Sequence, residues 1–459
     1  MDNGLMALLW QQMWSGLRSA STPLPEVNFT GTQRFSSAWP VTELASASIA
    51  LATQAAADLA GIRHPLEVDS RLASRWFQRS FIPLNRAAPV LWDPFAGDYE
   101  TKDGWIRLHT NMPHHRAAME QILGAHPSRA TLEKAVRVWG KTALEQAIVD
   151  AGGCAAAMQS LSQWQQHPQG ISVGSEPLIA QTLQPEAPAP SWPLFPARPL
   201  TGVRVLDLTR IIAGPVATRF LAGLGAEVLR LDPPGWEEPA LEEEFTLGKR
   251  CARLDLKSPA GRERFEALLA QADVLVHGYR ADALSALGYD AESLQKLSPG
   301  LVDVALNAWG WSGPWRNRRG FDSLVQMASG IADFNRQWIK RASPAPLPVQ
   351  ALDHATGYLM AAAVLEGMRQ RRLHHTGFSA RLSLARTASL LTRFPYPDAP
   401  RNENLVTQPY DESVETEITP WGIGYRLHSP VWLPGTPVVW SRSASRLGTE
   451  EPCWKNGSA

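Results

Sequence analysis

Residues 202–232, GVRVLDLTRIIAGPVATRFLAGLGAEVLRLD, decide the fold class. The compact apolar run at 202–209 predicts a β-strand, and the turn Ala213-Gly214-Pro215 ends it. Residues 216–226 are typical of a helix, and EVLRLD at 227–232 predicts a second strand. The stretch therefore predicts a βαβ unit, in which a helix joins two parallel strands.

A second unit of the same kind follows. Strands are predicted at 252–257 and 273–279 with a helix between them at 259–271, and a further strand is predicted at 301–309. Short strands alternating with helices indicate an α/β fold with a Rossmann-like, doubly wound parallel sheet, accompanied by a smaller α+β domain. Ligands of such sheets bind beyond the carboxyl ends of the strands. The first turn lacks a G-x-G-x-x-G motif, so no permanently bound nicotinamide or flavin is predicted.

One carboxylate stands at the start of an apolar helix in residues 347–372, LPVQALDHATGYLMAAAVLEGMRQRR. Pro346 and Pro348 hold the approach extended, so we expect Asp353 to be an N-cap whose side chain accepts bonds from free backbone N–H groups. Apolar residues at 359–365 run nearly all round the helix, which predicts that it is buried and that the acid faces a cleft. An ordinary capping aspartate without a chemical role is the alternative.

The rest of the chain divides by composition. Residues 93–111 contain a hairpin signal with its turn at Lys102-Asp103-Gly104, and seven prolines at 175–200 exclude a helix or a central strand there. We predict five parts: an N-terminal helical segment (1–84), a small hairpin-and-helix domain (85–174), a proline-rich linker (175–200), a Rossmann-like domain with the Asp353 helix (201–393) and a C-terminal strap (394–459).

Composition limits the partners. The 459 residues contain 44 Lys and Arg and 44 Asp and Glu, a balance that argues against nucleic-acid and anionic membrane partners. The three cysteines are far apart, which is typical of a reducing cytoplasm and predicts neither a disulfide nor a metal site. No apolar window of about 18 residues occurs, so no membrane span is predicted.

Five segments, in this order, resemble the family III CoA-transferases, the group that contains formyl-CoA:oxalate and carnitine CoA-transferases. They lie within 198–392 and are the stretch at 202–232, GKRCARLDLKSPAGRERFEALLAQADVLVHGYR, ALGYDAESLQKLSPGLVDVALNAWGWSGP, RGFDSLVQMASGI and the Asp353 helix. The resemblance implies that Asp353 is a covalent nucleophile, which exchanges CoA between an acyl-CoA and a carboxylic acid through a mixed anhydride and an aspartyl-CoA thioester. It also implies that coenzyme A is a substrate and that the protein is a homodimer. Helix N–H groups beside Asp353 are expected to bind the oxyanion of each tetrahedral intermediate.

Other site residues carry over from the same resemblance. Asp322 aligns with an acid near the catalytic centre, followed by Gln326, while Gly357 is expected to let substrate approach the helix, with a packing glycine as the alternative. CoA contacts are implied for Ile211, Ala213, Leu254, Lys257, Arg280 and Arg319. For Asp322, Gln326, Lys257 and Arg319 the alternative is an ordinary surface polar residue.

Two arginines common in the family are absent, because this chain has Pro233 and Ala286 at those positions. Arg280 and Arg230 are the possible substitutes, and a degenerate CoA-binding protein is therefore a second hypothesis. The third is an α-methylacyl-CoA racemase-type isomerase, which is disfavoured because Phe321 stands where racemases carry a histidine.

His354 next to Asp353 is a possible base, although a solvent-facing histidine is the preferred interpretation. Segment order differs from the family as well, since residues 36–175 resemble the part that normally follows the catalytic helix. In that segment WPVTELASASIALA resembles a second catalytic-type helix with Glu43 or Ala45 at the acid position, and no catalytic role is assigned to it.

Overall fold

The computed structural model describes residues 3–19, 21–399 and 405–455. The first part contains α1 (Asn3–Leu17), β1 (Val27–Thr30), α2 (Val41–Ala60), β2 (Leu66–Asp69), α3 (Ser70–Gln78) and β3 (Phe81–Pro83). The next contains β4 (Gly97–Thr101), β5 (Gly104–Leu108), α4 (Pro113–Leu123), α5 (Arg129–Arg137), α6 (Lys141–Asp150), β6 (Ala155–Ala157), α7 (Leu161–Gln166), α8 (Pro168–Ser175) and β7 (Ala180–Glu186).

The second half of the chain alternates strands and helices. It contains β8 (Arg204–Leu208), α9 (Ala213–Gly223), β9 (Glu227–Asp232), α10 (Glu242–Phe245), β10 (Lys249–Arg253), α11 (Pro259–Leu269), β11 (Val274–His277), a 3-10 helix (Ser285–Leu287), α12 (Ala291–Leu297) and β12 (Val302–Asn307). Then come α13 (Asp322–Ala328), α14 (Ile331–Trp338), α15 (Ala351–His374), β13 (Thr376–Ser383), α16 (Leu384–Leu391), β14 (Glu412–Thr419), β15 (Gly422–Leu427) and β16 (Val431–Trp432).

The main sheet confirms the predicted α/β class. In the described residues it has seven strands in the order β10-β9-β8-β11-β12-β13-β7. All neighbours are parallel except β13 and β7, which pair antiparallel. The strand order reverses between β8 and β11, which is the topological switch point where a ligand crevice opens in such sheets.

Helices cover both faces of this sheet. Val205 of β8 points to the core shared with α9 and α15, while the next residue, Leu206, packs with Phe265 of α11 on the opposite face. This alternation follows the two-residue period of a strand. Because both faces are buried, the strands read as continuous apolar runs, and the predicted doubly wound arrangement is confirmed.

Several segments differ from expectation. Strand β10 begins at Lys249, before the predicted strand at 252–257, and α9 begins at Ala213, inside the predicted turn. Residues 180–186, predicted as part of a linker, form the edge strand β7, where Pro185 is tolerated because an edge strand leaves one side of its backbone unpaired. The N-terminal segment contains helices, as expected, and also the short strands β1, β2 and β3.

The described part of the tail lies across other elements as a strap, but it also contains the hairpin β14–β15, which pairs with β3. Trp440 of this strap lies against Gly223, where a Cβ would come within 3.0 Å of the indole. The Trp454 indole N–H donates to the Leu268 carbonyl on α11. No described helix is long and apolar enough to cross a membrane.

Candidate active site

A cavity opens at the carboxyl ends of β8, β11 and β12. This cavity A has a volume of about 360 Å³. Its lining includes Arg210, Ile211, Ala213 and Gly214 after β8, Gly278, Tyr279 and Arg280 after β11, Asn307 and Ala308 after β12, and His114, Arg318, Arg319, Phe321 and Asp353. It lies where the strand order reverses, as the sequence predicted for a ligand site.

Two further cavities adjoin it. Cavity B, of about 310 Å³, is lined by residues 90–93, His109, Asn111, Met112, Ile211, Ile212, residues 237–241, Phe321, Gln350 and Asp353. Cavity C, of about 280 Å³, shares Arg210, Tyr279 and Ala283 with cavity A and is otherwise lined mainly by leucines, Pro233, Asp255 and Lys257. The three cavities are therefore neighbours, in the order C, A, B.

Asp353 is shared by cavities A and B. The residue is only 7% exposed, so its carboxylate has little access to bulk water. Ile211 is also shared by both cavities, and its φ of 68° lies in the left-handed region that β-branched residues rarely adopt. Backbone strain of this kind concentrates at functional sites.

The start of α15 differs from the prediction. Gln350 is the N-cap, its side chain makes no capping bond, and Asp353 is the third residue of the first turn. Asp353 is therefore not an N-cap. Its backbone N–H donates to Asp322 Oδ2 at 2.8 Å, and the N–H of Leu352 also points to Asp322. These amides cannot also bind an oxyanion, so that predicted role is wrong.

Asp322 is fully buried and belongs to none of the three cavities. It accepts a bond from the side-chain amide of Gln326, whose oxygen accepts the Leu347 N–H at 2.7 Å. The pair therefore fixes the segment that leads into α15. Asp322 positions Asp353 through the backbone, and the surface alternative for Asp322 and Gln326 is wrong.

Burial raises the pKa of Asp353 well above its usual range, and the negative charge of Asp322 adds to this effect. Burial likewise raises the pKa of Asp322, partly opposed by the hydrogen bonds that it accepts. The two carboxyls thus disfavour each other's ionisation. An ionised Asp353 is consequently more basic, and a stronger nucleophile, than an ordinary aspartate.

Gly357 has a packing role. A Cβ at this position would lie 2.4 Å from the Ala213 carbonyl oxygen and 2.7 Å from Val216 Cβ. The glycine therefore lets α15 approach α9, which carries cavity-lining residues at its start. Gly357 lines none of cavities A, B and C, which favours the packing alternative over the predicted catalytic role.

His354 is buried, and the expectation of a solvent-facing ring is wrong. Its ring stacks on Phe77 with 4.8 Å between centroids. Burial lowers the pKa of His354 to about 3, so the imidazole is neutral. His354 lies outside all three cavities and is not a base for Asp353.

All of the predicted CoA contacts line cavity A or cavity C. Ile211, Ala213, Arg280 and Arg319 line cavity A, and Leu254 and Lys257 line cavity C. Pro233 lines cavity C as well, so the missing arginine is replaced by an apolar surface. Arg230 cannot substitute for it, because Asp232 and Glu238 bind its guanidinium and its side chain has no exposed surface.

Several residues that line the cavities were not predicted from the sequence. Arg210 and Tyr279 follow the carboxyl ends of β8 and β11, so the rule that predicted the ligand edge could have found both. Trp92, His109 and Met112 flank the β4–β5 hairpin, more than 200 residues before Asp353, and no spacing in the sequence connects them to it.

Glu43 is the counterpart of Asp353 in α2. Both acids are third in their helix, and the residues before the helices have matching dihedrals, φ −76° and ψ 65° for Pro40 against φ −75° and ψ 64° for Gln350. This geometry selects Glu43 over Ala45. However, Glu43 is 1% exposed, lies 3.3 Å from the guanidinium of Arg34 and lines none of cavities A, B and C.

A profile of CoA-transferase family III matches residues 200–423. The match covers slightly less than half of the chain, which in this part is similar to CoA-transferase family III. An acyl-CoA transferase of Gibberella moniliformis is 29% identical over 347 residues, covering 70% of this chain and 59% of that protein. The succinyl-CoA:glutarate CoA-transferase of Mus musculus is 33% identical over 187 residues, covering 38% of this chain and 42% of that protein.

A solved structure, the orthorhombic crystal form of Rv3272 from M. tuberculosis, is also similar to the chain. It has a TM-score of 0.40 and 27% identity, and the match covers 43% of this chain and 58% of that one.

The segment that matches family III contains cavity C, Asp353 and most of cavity A, whereas the hairpin side of cavity B comes from residues before it. The described residues contain no cluster of His, Cys, Asp and Glu suited to a metal ion. The chain covers less than two thirds of the length of each of these two relatives.

Proposed function

We propose that this protein is a CoA-transferase that moves CoA from an acyl-CoA to a carboxylic acid, with Asp353 as the covalent nucleophile. The observation that carries the proposal is the position of Asp353, a shielded carboxylate at the junction of two cavities. The similarity of residues 200–423 to CoA-transferase family III supports the reaction class. The names of two relatives, which describe acyl-CoA and succinyl-CoA transfer, agree with it.

The order of the cavities matches the parts of an acyl-CoA. Cavity C offers leucine side chains and Lys257 for an adenine and its phosphates. Cavity A offers arginines for phosphate and a channel for the pantetheine arm. The thioester then reaches Asp353, and the acyl group occupies cavity B. We assign Ile211, Ala213, Leu254, Lys257, Arg280 and Arg319 to CoA binding on this basis.

The reaction runs in four displacements. An Asp353 carboxylate oxygen attacks the thioester carbonyl, the C–S bond breaks, and a mixed anhydride and the CoA thiolate form. The thiolate attacks the aspartyl carbonyl and releases the donor acid as its carboxylate, which leaves an aspartyl-CoA thioester. The acceptor carboxylate then attacks this thioester to form a second anhydride, and the thiolate attacks the acceptor's acyl carbon to release Asp353. No proton is transferred, so no general acid is required.

Each tetrahedral intermediate carries a negative oxygen that needs stabilisation. The amides of Leu352 and Asp353 serve Asp322 instead. The first residues of α9, Ala213 and Gly214, line cavity A beside Asp353, so the positive end of the α9 dipole lies at the reacting carbonyl. The nearby arginines of cavity A add positive charge to the same side.

Trapping tests the proposal directly. The protein is incubated with an acyl-CoA, and hydroxylamine is added to capture the activated aspartyl group as a hydroxamate. Peptide mass spectrometry should locate the modification on Asp353, and Asp353→Asn should show neither the hydroxamate nor CoA transfer. Transfer activity that survives in Asp353→Asn would refute the assignment.

One observation keeps the racemase-type isomerase as a second candidate. Phe321 replaces the motif histidine, but the ring of His109 stacks on Phe321 at 3.8 Å and lines cavity B with Asp353. Burial lowers the pKa of His109 well below its usual range, which weakens this imidazole as a base. Solvent deuterium at the α-carbon of an acyl-CoA, without any acceptor acid, would favour isomerisation over transfer.

The degenerate-protein hypothesis makes the opposite prediction for binding. Calorimetry should detect CoA binding if cavities C and A are functional, whereas a folded protein that binds no CoA would support a scaffolding role.

A homodimer and a cytoplasmic location stay predictions. Sedimentation at micromolar concentration tests the dimer.

A further inference from the structure

The two cavities that meet at Asp353 differ in charge. Cavity A is lined by four arginines, Arg210, Arg280, Arg318 and Arg319, and its single acid is Asp353. Among the described residues, cavity B is lined by no lysine or arginine and by four acids, Asp93, Glu237, Glu238 and Asp353. A ligand that spans both cavities therefore meets positive charge on one side of Asp353 and negative charge on the other.

The acids of cavity B have their partners within the protein. Glu238 accepts the Ile211 N–H and the Trp236 indole N–H, and its other oxygen accepts from Arg230. Asp93 accepts bonds from the Phe95 N–H and the Thr110 hydroxyl. Glu237 is bound by Arg253. These acids are therefore already bonded within the protein, and no described residue that lines cavity B is a lysine or arginine.

Two arginines close to cavity B, Arg116 and Arg79, lie outside its lining and beside acidic residues. Arg116 lies 3.5 Å from Asp93 and also binds Glu120. Arg79 lines a separate cavity of about 50 Å³ beyond Leu91 and Leu241, which it shares with Glu243 and Glu244. Neither arginine lines cavity B.

Most of the remaining wall is apolar. It is formed by Val90, Leu91, Trp92, Met112, Ile212, Pro239, Ala240, Leu241 and Phe321. Such a surface gains from contact with hydrocarbon, and each buried methylene is worth about a fourfold gain in affinity. A carboxylate placed there would lose its hydration without gaining a cation.

We propose that cavity B holds the uncharged hydrocarbon chain of a monocarboxylic acid and rejects acids that carry a second carboxylate. This inference rests on the proposed function, since it assumes that the acyl group occupies cavity B. It assigns the substrate class to monocarboxylic acids with an aliphatic or aromatic chain. Leu91 is the wall residue at which the charge preference can be tested, because it is exposed and can be exchanged for a cation.

Hexanoate and adipate test the proposal, because they have the same number of carbons and differ in one terminal group. Acetyl-CoA serves as the common donor, and mass spectrometry measures the acyl-CoA formed. We expect kcat/KM for hexanoate to exceed that for adipate by about 100-fold. A ratio below tenfold, or a preference for adipate, would overturn the proposal.

Leu91→Arg supplies the missing cation. It should raise kcat/KM for adipate and lower it for hexanoate, which reduces their ratio by at least tenfold. Leu8→Arg is the matched control, since Leu8 on α1 is 46% exposed, close to the 41% of Leu91, and lines none of cavities A, B and C. An equal change of the ratio in both variants would exclude a specific effect at cavity B.

Failure of the proposed function is recognised separately. If no acid is converted and Asp353 is not trapped, the transferase proposal fails. Calorimetry with the thioether analogues of hexanoyl-CoA and adipoyl-CoA then still decides the preference of cavity B. Binding of the adipoyl analogue as tightly as the hexanoyl analogue, or no binding of either, would overturn the inference.

Discussion

The backbone N–H of Asp353 donates a hydrogen bond of 2.8 Å to the carboxylate of Asp322. One acid thus holds the main chain of the other in place while its negative charge opposes the ionisation of that neighbour. Asp322 therefore positions Asp353 and also adds to the rise of its pKa, which is caused mainly by burial. This arrangement costs stability and keeps a basic carboxylate at the junction of the cavities.

Asp353→Asn should abolish transfer and stabilise the fold. The pKa of Asp353 is raised by folding, so the native state binds more protons than the unfolded chain, and stability falls as the pH rises from the unfolded pKa towards the native one. The asparagine does not ionise, so the variant keeps the stability that the wild type loses. This stability amounts to about 1.4 kcal/mol for each pH unit between the two pKa values. Thermal unfolding should therefore show a larger gain in Tm at pH 8 than at pH 5. An equal gain at both values would contradict the raised pKa.

Asp322→Asn should shift the acidic limb of the kcat/KM profile to lower pH, because the negative neighbour that raises the pKa of Asp353 is gone. An asparagine offers fewer acceptor sites, so the variant should also lose about 1–3 kcal/mol of stability. Asp333→Asn is the control, since Asp333 on α14 accepts bonds from Arg336 and Gln337 outside cavities A, B and C. A limb that moves equally in both variants would show that Asp322 does not set this pKa.

Gly357→Ala should destabilise the protein by about 1–3 kcal/mol, because the added methyl overpacks the contact between α15 and α9. Urea unfolding measures the loss. Gly174→Ala on α8 is the matched control, since a Cβ there meets no atom within 4 Å and alanine favours the helix. Loss of activity in Gly357→Ala at unchanged stability would instead indicate the substrate-approach role.

Glu43→Gln should retain transfer activity, in contrast to Asp353→Asn, because Glu43 faces Arg34 and not a cavity. Weakening this buried ion pair should cost about 1–3 kcal/mol of stability. Steady-state kinetics and urea unfolding check the two parts. A drop in kcat comparable to that of Asp353→Asn would reveal a second reactive centre.

The sequence predicted the elements that depend on local periodicity. Strands β8, β9, β11 and β12, helix α11 and the helix around Asp353 lie where spacing placed them, because both faces of the parallel sheet are buried and leave continuous apolar runs. Strand β10 and helix α9 begin about three residues before their predicted positions. The ligand edge followed from the same topology. The edge strand β7 was missed, because its prolines and polar residues are typical of a linker.

Pairings between distant residues could not be predicted. The capping role failed because Asp322, 31 positions earlier, takes the amides that an N-cap would bind. Arg230 was predicted as a possible CoA contact, but its guanidinium donates to Glu238 instead. The β4–β5 hairpin region closes cavity B from a part of the chain that no local pattern links to α15. These features depend on which loops meet in space.

The contact between α2 and α15 has a consequence for biosynthesis. α2 is almost entirely buried, and its main neighbour is α15, whose first residue follows that of α2 by 310 positions. At roughly 5–20 residues per second, a ribosome needs about 15–60 s to make this interval. During that time α1 and α3, which also contact α2, are the neighbours already synthesised that can shield its apolar surface from aggregation.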